Sequence, residues 1–483
     1  MDSTCLKEFI QSFPITSKFY HEVDQIFTQK HYRVSAFFSL FGFYGLVISD
    51  LTMLKQIMIK DFEYFVNRDQ NENVVIDKLL GKTVMMLRDQ KWKDMRTMLS
   101  PIFTSSKMKY IYGLLSESAD EFVNIYEKKA KANGGTIEID THDVFARVTA
   151  DGIASLALGV KSDCIANENS EMYKIADELE TDFTTPNVFK NMLALTLPKV
   201  YKFFDFQIIR ESLHVFFESH VLGEIQRRRT ENIVRTDVIQ LMVQAKEGQL
   251  TDDNDNSYAT TKIKKLTKFE DYDLVAQSLV FFLGGFETTA FTLQSMSFEL
   301  SNHPEIQQTL IEEVDEMLKR LEGRSISYEE LNQMRFLDMV VNETLRVRPA
   351  FRATGRNCSK DYNLKDEETG KVYKIKKRTA LLIPIKSIHM DPKYFPNPEK
   401  FDPYRFSDEN KDKIQSGSFM PFGIGPRICI GSRYAILETK LLMFTILSKF
   451  SIKKCSRTPE TLTFGMGATG YKEKIYLALK LRK

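Results

Sequence analysis

The chain has 483 residues, of which 43% are hydrophobic and 12% aromatic, enough to bury a large core. Its 67 Lys and Arg against 65 Asp and Glu leave a net charge of +2, which argues against a global basic surface for nucleic acid. The five cysteines contain no Cys-x-x-Cys pair, which argues against zinc ribbons and thioredoxin-like sites. Their odd number and wide spacing in so large a chain argue against a disulfide framework and for a reducing compartment.

The first long apolar segment is Val34–Ser49, which has 16 residues and no charge. A membrane helix needs about 20 apolar residues, and Gly42 and Gly45 interrupt this run, so we recognise neither a signal peptide nor a span here. Its Val, Phe, Tyr and Ile residues, together with the glycines, predict a buried pair of β-strands.

Three segments follow whose interpretation stays open. Trp92 precedes Arg96 by four residues, which places both on one helix face, and the flanking Arg88, Lys91 and Lys93 form either a solvated cluster or a docking face. The aromatic, lysine-containing segment Val188–Ile209 predicts either a membrane-dipping lid or two ordinary core helices. The polar segment Glu247–Lys265 predicts a surface loop.

A long helix is predicted from about Phe269 to Ser301, ended by His303–Pro304 because the residue before a proline resists helical geometry. Its centre, Leu279–Leu293, is apolar on nearly every face, which predicts burial in the core. Glu287 lies inside that apolar stretch, which argues against a membrane span and makes this carboxylate a functional candidate.

The most informative segment is Phe422-Gly-Ile-Gly425-Pro-Arg427-Ile-Cys429-Ile-Gly431. Its glycines permit a tight loop with close backbone approach to a flat ligand, Arg427 can meet an anion, and Cys429 can offer sulfur to a metal. A lone cysteine is usually an inert buried hydrophobe, but here five residue types recur at fixed spacing.

This segment resembles the haem-binding loop of cytochrome P450 enzymes, FxxGxRxCxG. The resemblance implies a mainly α fold with small β-sheets around a buried haem, formed by one domain over residues 1–483. It implies that Cys429 is the proximal thiolate ligand of the iron, with Phe422, Arg427 and Gly431 beside the cofactor. Cys5, Cys164, Cys358 and Cys455 are expected to be dispensable for iron ligation.

Other motifs occur in the family's order. Gly284-Gly285-Phe286-Glu287-Thr288-Thr289 resembles the oxygen-activation motif, which implies that Glu287 supplies protons and that Thr288 hydrogen-bonds the oxygen substrate. Each helical glycine costs about 1 kcal/mol relative to alanine, so the pair is expected to leave a groove for dioxygen and substrate.

The remaining family motifs imply anchoring and structural roles. Trp92 and Arg96 resemble the family's WxxxR, and with Arg356 and Arg427 they are expected to hold the haem propionates. A buried structural triad is expected from Glu343, Arg346 and Arg405, although Tyr404 stands where the family usually has an acid, and His389 is expected to be structural.

Substrate contacts are expected from positions that match family pockets: Phe282, Gly284, Gly285, Phe286, Thr289, Phe351 and Thr354. Arg352 stands where an apolar residue is expected, so it either points away or favours polar or anionic substrates. The region Pro392–Ser418, with four prolines, is expected to be rich in loops.

The resemblance implies a monooxygenase that uses haem b and O2 on lipophilic small molecules, which are xenobiotics or endogenous lipids and hormones. Electrons are expected from NADPH through a flavin reductase, NADPH-cytochrome P450 reductase, that docks on the basic face around Trp92. The phrases Asp273–Gln277, Pro396–Phe401 and Gly431–Ala435 most resemble insect microsomal members that oxidise drugs and toxins.

That resemblance implies the cytoplasmic face of the endoplasmic reticulum membrane. We find no N-terminal membrane helix or proline-rich hinge, which leaves a truncated form, a partial gene model and an unusual isoform open. Two other functions also stay open: an isomerase or dehydratase without a redox partner, which the intact Glu287 and Thr288 disfavour, and a haem- or ligand-binding protein without turnover.

Overall fold

A computed structural model describes residues 9–11, 33–38, 44–68, 77–184, 207–233, 235, 237–247, 269–465 and 469–482. In this part of the chain α-helices dominate, as the sequence predicts. They are α1 (Leu51–Lys55), α2 (Asp89–Leu99), α3 (Ser105–Ala132), α4 (Thr141–Ala157), α5 (Glu171–Thr184), α6 (Glu211–Glu231), α7 (Val238–Glu247), α8 (Asp271–Asn302), α9 (Pro304–Leu321), α10 (Tyr328–Leu331), α11 (Arg335–Val347), α12 (Ile385–His389) and α13 (Ser432–Lys449).

The strands form small sheets at the periphery of the helices. They are β1 (Phe9–Gln11), β2 (Val34–Phe38), β3 (Tyr44–Ile48), β4 (Thr136–Asp140), β5 (Thr354–Asn357), β6 (Tyr362–Lys365), β7 (Val372–Ile375), β8 (Ala380–Ile383), β9 (Phe450–Lys454) and β10 (Tyr476–Leu481). Among the described residues, one sheet has the order β1-β2-β3-β8-β5, a second has β4-β10-β9, and β6 pairs with β7.

The predicted strand pair in Val34–Ser49 is confirmed. Strands β2 and β3 are antiparallel, with Val34 opposite Ile48 and Phe37 opposite Gly45. A Cβ at Gly45 would lie 2.5 Å from the Phe37 ring and 2.6 Å from the Ala380 carbonyl oxygen, so only glycine lets these strands pack. Gly42 lies outside the described residues, as do positions 188–206 and 248–265 of the two open segments.

The long helix is confirmed as α8, two residues later at its start than predicted. Glu270 and Asp273 form a reciprocal capping box there, and the helix ends at Asn302 before His303. With 32 residues it spans roughly 48 Å. It is long and apolar enough to cross a membrane by length and composition, but most of its apolar window is buried inside the fold.

The Cys429 loop lies where two apolar cores meet. The larger core belongs to the helices, and the smaller one surrounds the first sheet and α1. Phe419 packs against both cores, whereas Phe422 packs on the helical core and Ile424 on the sheet core. The segment from 392 to 418 before this loop contains only two short 3-10 turns, Pro403–Phe406 and Lys411–Lys413, as its prolines predict.

His389 connects α11 to the start of the Cys429 loop. Its buried imidazole accepts a hydrogen bond from the Met420 backbone N–H at 2.9 Å and donates one to the Arg346 carbonyl at 3.2 Å. Burial lowers its pKa from 6.5 to about 3, and the nearby Arg346 charge adds to the effect. The structural role expected of this histidine agrees with these contacts.

We therefore expect His389 to make the protein less stable in acid. The folded-state pKa of about 3 lies below the unfolded value of 6.5, so the unfolded chain binds more protons between these pH values. The free energy of unfolding should fall as pH falls through this window, by up to about 1.4 kcal/mol per pH unit from this residue.

Urea unfolding at several pH values measures this slope. Replacing His389 with glutamine, which can also donate and accept hydrogen bonds, should make the slope shallower below pH 6.5. Equal slopes in the wild type and His389→Gln would show that His389 is not responsible.

Candidate active site

The Cys429 loop is held by short backbone hydrogen bonds. The Cys429 N–H donates to the Phe422 carbonyl at 3.0 Å, and the Ile428 N–H donates to the Gly425 carbonyl at 2.9 Å. Gly425 has φ +75°, and a Cβ there would lie 2.0 Å from the Met58 carbonyl oxygen. Both the left-handed backbone and the close approach of Met58 therefore require glycine at this position.

Cys429 combines an enclosed position with an accessible side chain. The residue is surrounded by protein on all sides, yet its thiol is exposed, so it faces open space inside the fold. Burial raises the pKa of the thiol, while the Gly431 backbone N–H, Arg68 and Arg96 act in the opposite direction by favouring a thiolate. A metal bound to this sulfur would complete the stabilisation of the thiolate.

Gly431 lies at the start of α13 and leaves room beside the thiol. Its φ of −91° suits any residue, and a Cβ there would meet nothing within 4 Å. Neither backbone strain nor packing within the protein demands glycine at this position. A flat ligand that lies close to this backbone would require a residue without a side chain.

Arg427 is turned into the protein from the same loop. Its guanidinium lies 4.0 Å from the centre of the Trp92 ring and donates to the carbonyls of Val66 at 2.9 Å and Leu87 at 2.7 Å. Burial, together with the neighbouring Arg68 charge, lowers the pKa of Arg427 to about 8. An anion beside these arginines would relieve that cost.

Arg68 is a member of this cluster that the sequence did not indicate, because it belongs to none of the recognised motifs. One of its NH2 groups donates to the Arg427 carbonyl at 2.7 Å, while its buried Nε has no hydrogen-bond partner. The buried Nε of Arg356 likewise has no partner, and burial lowers the pKa of Arg356 to about 9. Arg96 is half-buried nearby, and its charge interacts with both Arg68 and Cys429.

The donor set fits haem b. Buried guanidinium groups with unpaired N–H donors are costly, and the two propionates of a haem would satisfy them. The structure thus brings together Cys429, Gly431, Trp92, Arg427 and Arg96 from the predicted cofactor set. Phe422 is half-buried against the helical core, and Arg356 joins the cluster from β5.

The predicted oxygen-activation motif has one accessible face in the middle of α8. Gly284 is exposed and Thr288 is half-buried, and the Thr288 hydroxyl donates to the Gly284 carbonyl at 2.7 Å. Val280 and Leu283 are also partly accessible on this side. Val280 and Leu283 belong to none of the sequence motifs, although the i, i+4 spacing of positions 280, 284 and 288 indicates the first of them.

The pocket prediction for the other members of this motif needs correction. Phe282 and Phe286 have no exposed surface, and Phe282 packs against the Phe217 ring at 6.0 Å. A Cβ at Gly285 would lie 2.5 Å from the Ile153 side chain, so this glycine lets α8 approach α4. Thr289 is also buried. These residues face the packed sides of the helix, because successive positions rotate by about 100°.

The two glycines should therefore respond differently to alanine. We expect Gly285→Ala to destabilise the protein by about 1–3 kcal/mol, because the new methyl group must displace Ile153 in a packed core. Gly284→Ala should leave stability equal or higher, since its Cβ meets nothing and alanine favours helices. Denaturant unfolding of the two variants measures this, and equal losses would contradict the different surroundings of the two positions.

Glu287 points to a different neighbourhood from Thr288. Its Oε1 accepts a hydrogen bond from the Thr469 hydroxyl at 2.6 Å, and it lies beside His142 and Glu180. Burial, together with the Glu180 charge, raises the pKa of Glu287 to about 7. A carboxyl group with such a pKa can give and take a proton near neutral pH.

Two predicted pocket residues after α11 keep accessible surface and stay predictions. Phe351 is exposed, and Thr354 is half-buried at the start of β5 opposite Ile383. Arg352 is buried, donates to the Gly465 carbonyl at 3.1 Å and lies 5.2 Å from the Phe464 ring centre. Of the two alternatives for Arg352, its contacts favour the one in which it is turned away to hold the C-terminal loop.

One short segment ties α8 to the Cys429 loop. Gln277, one turn before Val280, accepts a hydrogen bond from the Val84 N–H at 2.8 Å and donates to the Lys82 carbonyl at 2.8 Å. The Val84 carbonyl in turn accepts from Arg427 at 3.2 Å. The accessible face of α8 and the thiol loop are therefore held to a common support.

The predicted structural triad is assembled beneath this region. Arg346 donates to Glu343 through Nε at 2.7 Å and NH2 at 2.8 Å, and neither side chain has exposed surface. Arg405 Nε lies 3.5 Å from Glu343, and its other nitrogens donate to the Pro396 and Asn397 carbonyls. The departure at Tyr404 has no effect on these contacts, since its side chain is exposed.

Comparison with known proteins agrees with this geometry. A family model described as Cytochrome P450 matches residues 9–477. The chain is 38% identical to Cytochrome P450 9e2 of Blattella germanica over 86% of this chain and 79% of that protein. It is 34% identical to Probable cytochrome P450 9h1 of Drosophila melanogaster, over 90% and 84% of the two chains, and 33% identical to Cytochrome P450 6A1 of Musca domestica, over 85% and 78%.

Proposed function

Because the chain belongs to the cytochrome P450 family of monooxygenases, we propose that it oxygenates lipophilic small molecules with electrons derived from NADPH. The substrates would be xenobiotics or endogenous lipids and hormones. The observation that carries the proposal is the accessible Cys429 thiol, set among arginines whose buried N–H groups lack partners. Cys429, Arg68, Arg96, Arg356 and Arg427 would hold haem b, which supplies the iron at which dioxygen is activated.

The accessible face of α8 supports a lipophilic substrate. Val280, Leu283 and Gly284 present apolar surface there, and Thr288 contributes the polar group. The Thr288 hydroxyl would orient dioxygen and transfer a proton at Oγ1 once released from the Gly284 carbonyl. Glu287, the neighbouring residue with a pKa of about 7, would exchange protons from the other side of the helix.

We propose that electrons arrive through a flavin reductase at the basic face around Trp92. Lys91 and Lys93 are exposed on α2, and a polar groove beside them is lined by Arg88, Lys93, Lys360 and Lys377, with Glu63 and Asp89 as its acidic members. This excess of basic side chains suits a partner with an acidic docking face. Similarity to the insect members also leads us to propose that the protein is located at the cytoplasmic face of the endoplasmic reticulum membrane.

Reductase-coupled turnover under ¹⁸O2 tests the proposal. The haem-loaded protein is first screened with lipophilic compounds for a substrate-induced spectral shift, and binders are then incubated with NADPH and reductase. One ¹⁸O atom per product molecule, formed only when NADPH and reductase are present, is the expected result.

Two outcomes would contradict the proposed NADPH-dependent oxygenation. Product formed without NADPH would indicate an isomerase or dehydratase, and ligand binding without NADPH consumption would indicate a binding protein.

Charge reversal at Lys91 and Lys93 should raise the reductase concentration needed for half-maximal rate, with reversal at Lys319 and Arg320 on α9 as the control. An equal effect of both reversals would argue against the basic face.

A further inference from the structure

A second cluster of metal-ligating side chains lies on the side of α8 to which Glu287 points. His142 is in the first turn of α4, Glu180 is in α5 and Glu287 is in α8. The His142 Nε2 is 3.0 Å from the Glu180 Oε1, and one ligand atom from each of the three residues lies within 4.8 Å of the others. Three separate helices thus converge on one point.

Glu287 brings an unsatisfied atom to this point. Its Oε1 accepts from the Thr469 hydroxyl, whereas its buried Oε2 accepts from no N–H or hydroxyl donor, and the neighbouring charged group is the Glu180 carboxyl; the residue is only 6% exposed. A buried carboxylate oxygen without a donor is costly. A bound cation would satisfy it directly.

The donor set and the access route suit Zn²⁺. One imidazole nitrogen and two carboxylate oxygens are ligands that zinc accepts at about 2.0–2.2 Å, with water completing the coordination. Ligand atoms around such an ion lie about 3.4 Å apart, so side-chain rotations that move these atoms by about one ångström would assemble the site. The His142 side chain is 39% exposed, which opens the cluster to ions from solvent.

We propose that His142, Glu180 and Glu287 bind one divalent transition-metal ion, with Zn²⁺ as the best match. Asp140 accepts from the His142 backbone N–H at 3.1 Å, which fixes the start of α4, and Thr469 holds the Glu287 carboxylate, so one of the ligand groups is already oriented. A bound ion would occupy the carboxylate beside Thr288. Zinc should therefore inhibit oxygenation. This consequence rests on the proposed function, whereas zinc binding itself does not.

Equilibrium dialysis of the oxidised, haem-loaded protein against ZnCl2 tests the proposal without turnover, with bound zinc measured by atomic absorption. The wild type should retain one zinc per haem more than His142→Ala. Glu180→Gln, which keeps the size of the side chain and removes its charge, should weaken binding by at least about tenfold. Each variant is accepted for the comparison when its CO-difference spectrum matches that of the wild type.

His303→Ala is the matched control. His303 is 30% exposed and its Nδ1 lies 3.7 Å from Glu299, so it forms a similar histidine–carboxylate pair outside the cluster. It should bind zinc like the wild type. Equal zinc in the wild type, His142→Ala and Glu180→Gln would overturn the site, whatever the outcome of the oxygenation assays. If zinc inhibits turnover by the wild type but not by His142→Ala, the site also regulates the activity.

Discussion

Replacing Cys429 with alanine should abolish the absorbance band at about 450 nm that a reduced, CO-treated haem-thiolate protein shows. The physical reason is that, among the described cysteines, Cys429 alone has an exposed thiol, and the charges of Arg68 and Arg96 favour its thiolate form. Haem content should also fall, because a residue bound directly to the metal contributes at least as much as the groups that hydrogen-bond the ligands, which change affinity by about 10–100-fold.

Two of the other described cysteines are the controls for this experiment. Cys358 is buried and donates its S–H to the Lys360 carbonyl, and burial raises its pKa to about 11, so it is a poor thiolate. Cys164 is buried and accepts from the Ser162 and Ser170 hydroxyls. Cys358→Ala and Cys164→Ala should retain the band. A Cys429→Ala protein that keeps it, or a Cys358→Ala protein that loses it, would refute the assignment of the ligand.

Replacing Arg346 with alanine should cost about 3–5 kcal/mol of unfolding free energy. Glu343 would remain buried with no exposed surface and without its bidentate partner, and the carbonyls of His389 and Pro398 would lose their donors at 2.9 and 2.8 Å. The Glu343 charge would keep only the longer contact with Arg405 at 3.5 Å and cannot reach water. Much of such a protein would be unfolded at 37 °C, because total stabilities are about 5–15 kcal/mol.

Arg227 offers a matched control with the same i, i+3 spacing. It pairs with Glu224 at 2.9 Å on α6, but its side chain is 50% exposed, so Arg227→Ala should destabilise the protein far less than Arg346→Ala does. Denaturant unfolding of both variants gives the comparison. If the two substitutions cost the same, burial of the Glu343–Arg346 pair does not stabilise this fold in the way its geometry indicates.

The local patterns of the sequence were sufficient for the elements and for the thiol loop. The alternation and glycines of Val34–Ser49 led to the strand pair, and the apolar run that ends before Pro304 led to α8. Its start moved by two residues because Glu270 acts as the N-cap, a detail that depends on side-chain hydrogen bonds. Cys429, Gly425 and Arg427 were found together because the loop is continuous in the chain.

The orientation of side chains around the site could not be found in this way. Phe282, Phe286 and Thr289 share a motif with Thr288, yet helical rotation turns them into the core, and which face is accessible depends on α4 and α6 packing against α8. Arg352 is drawn away by Gly465, 113 positions along the chain. Such contacts leave no local signal.

By itself, the sequence determined the helical architecture, the thiolate candidate Cys429 and the membership of the buried Glu343–Arg346 pair, because each depends on spacing within a single element or loop. Tertiary structure alone decided that Arg68 joins the arginine cluster, that Gly285 is a packing residue while Gly284 is open, and that Glu287 turns toward His142 and Glu180. These outcomes depend on contacts between groups that are distant in the chain. At such contacts, burial and unsatisfied hydrogen bonds determine the chemistry of a side chain more than its residue type does.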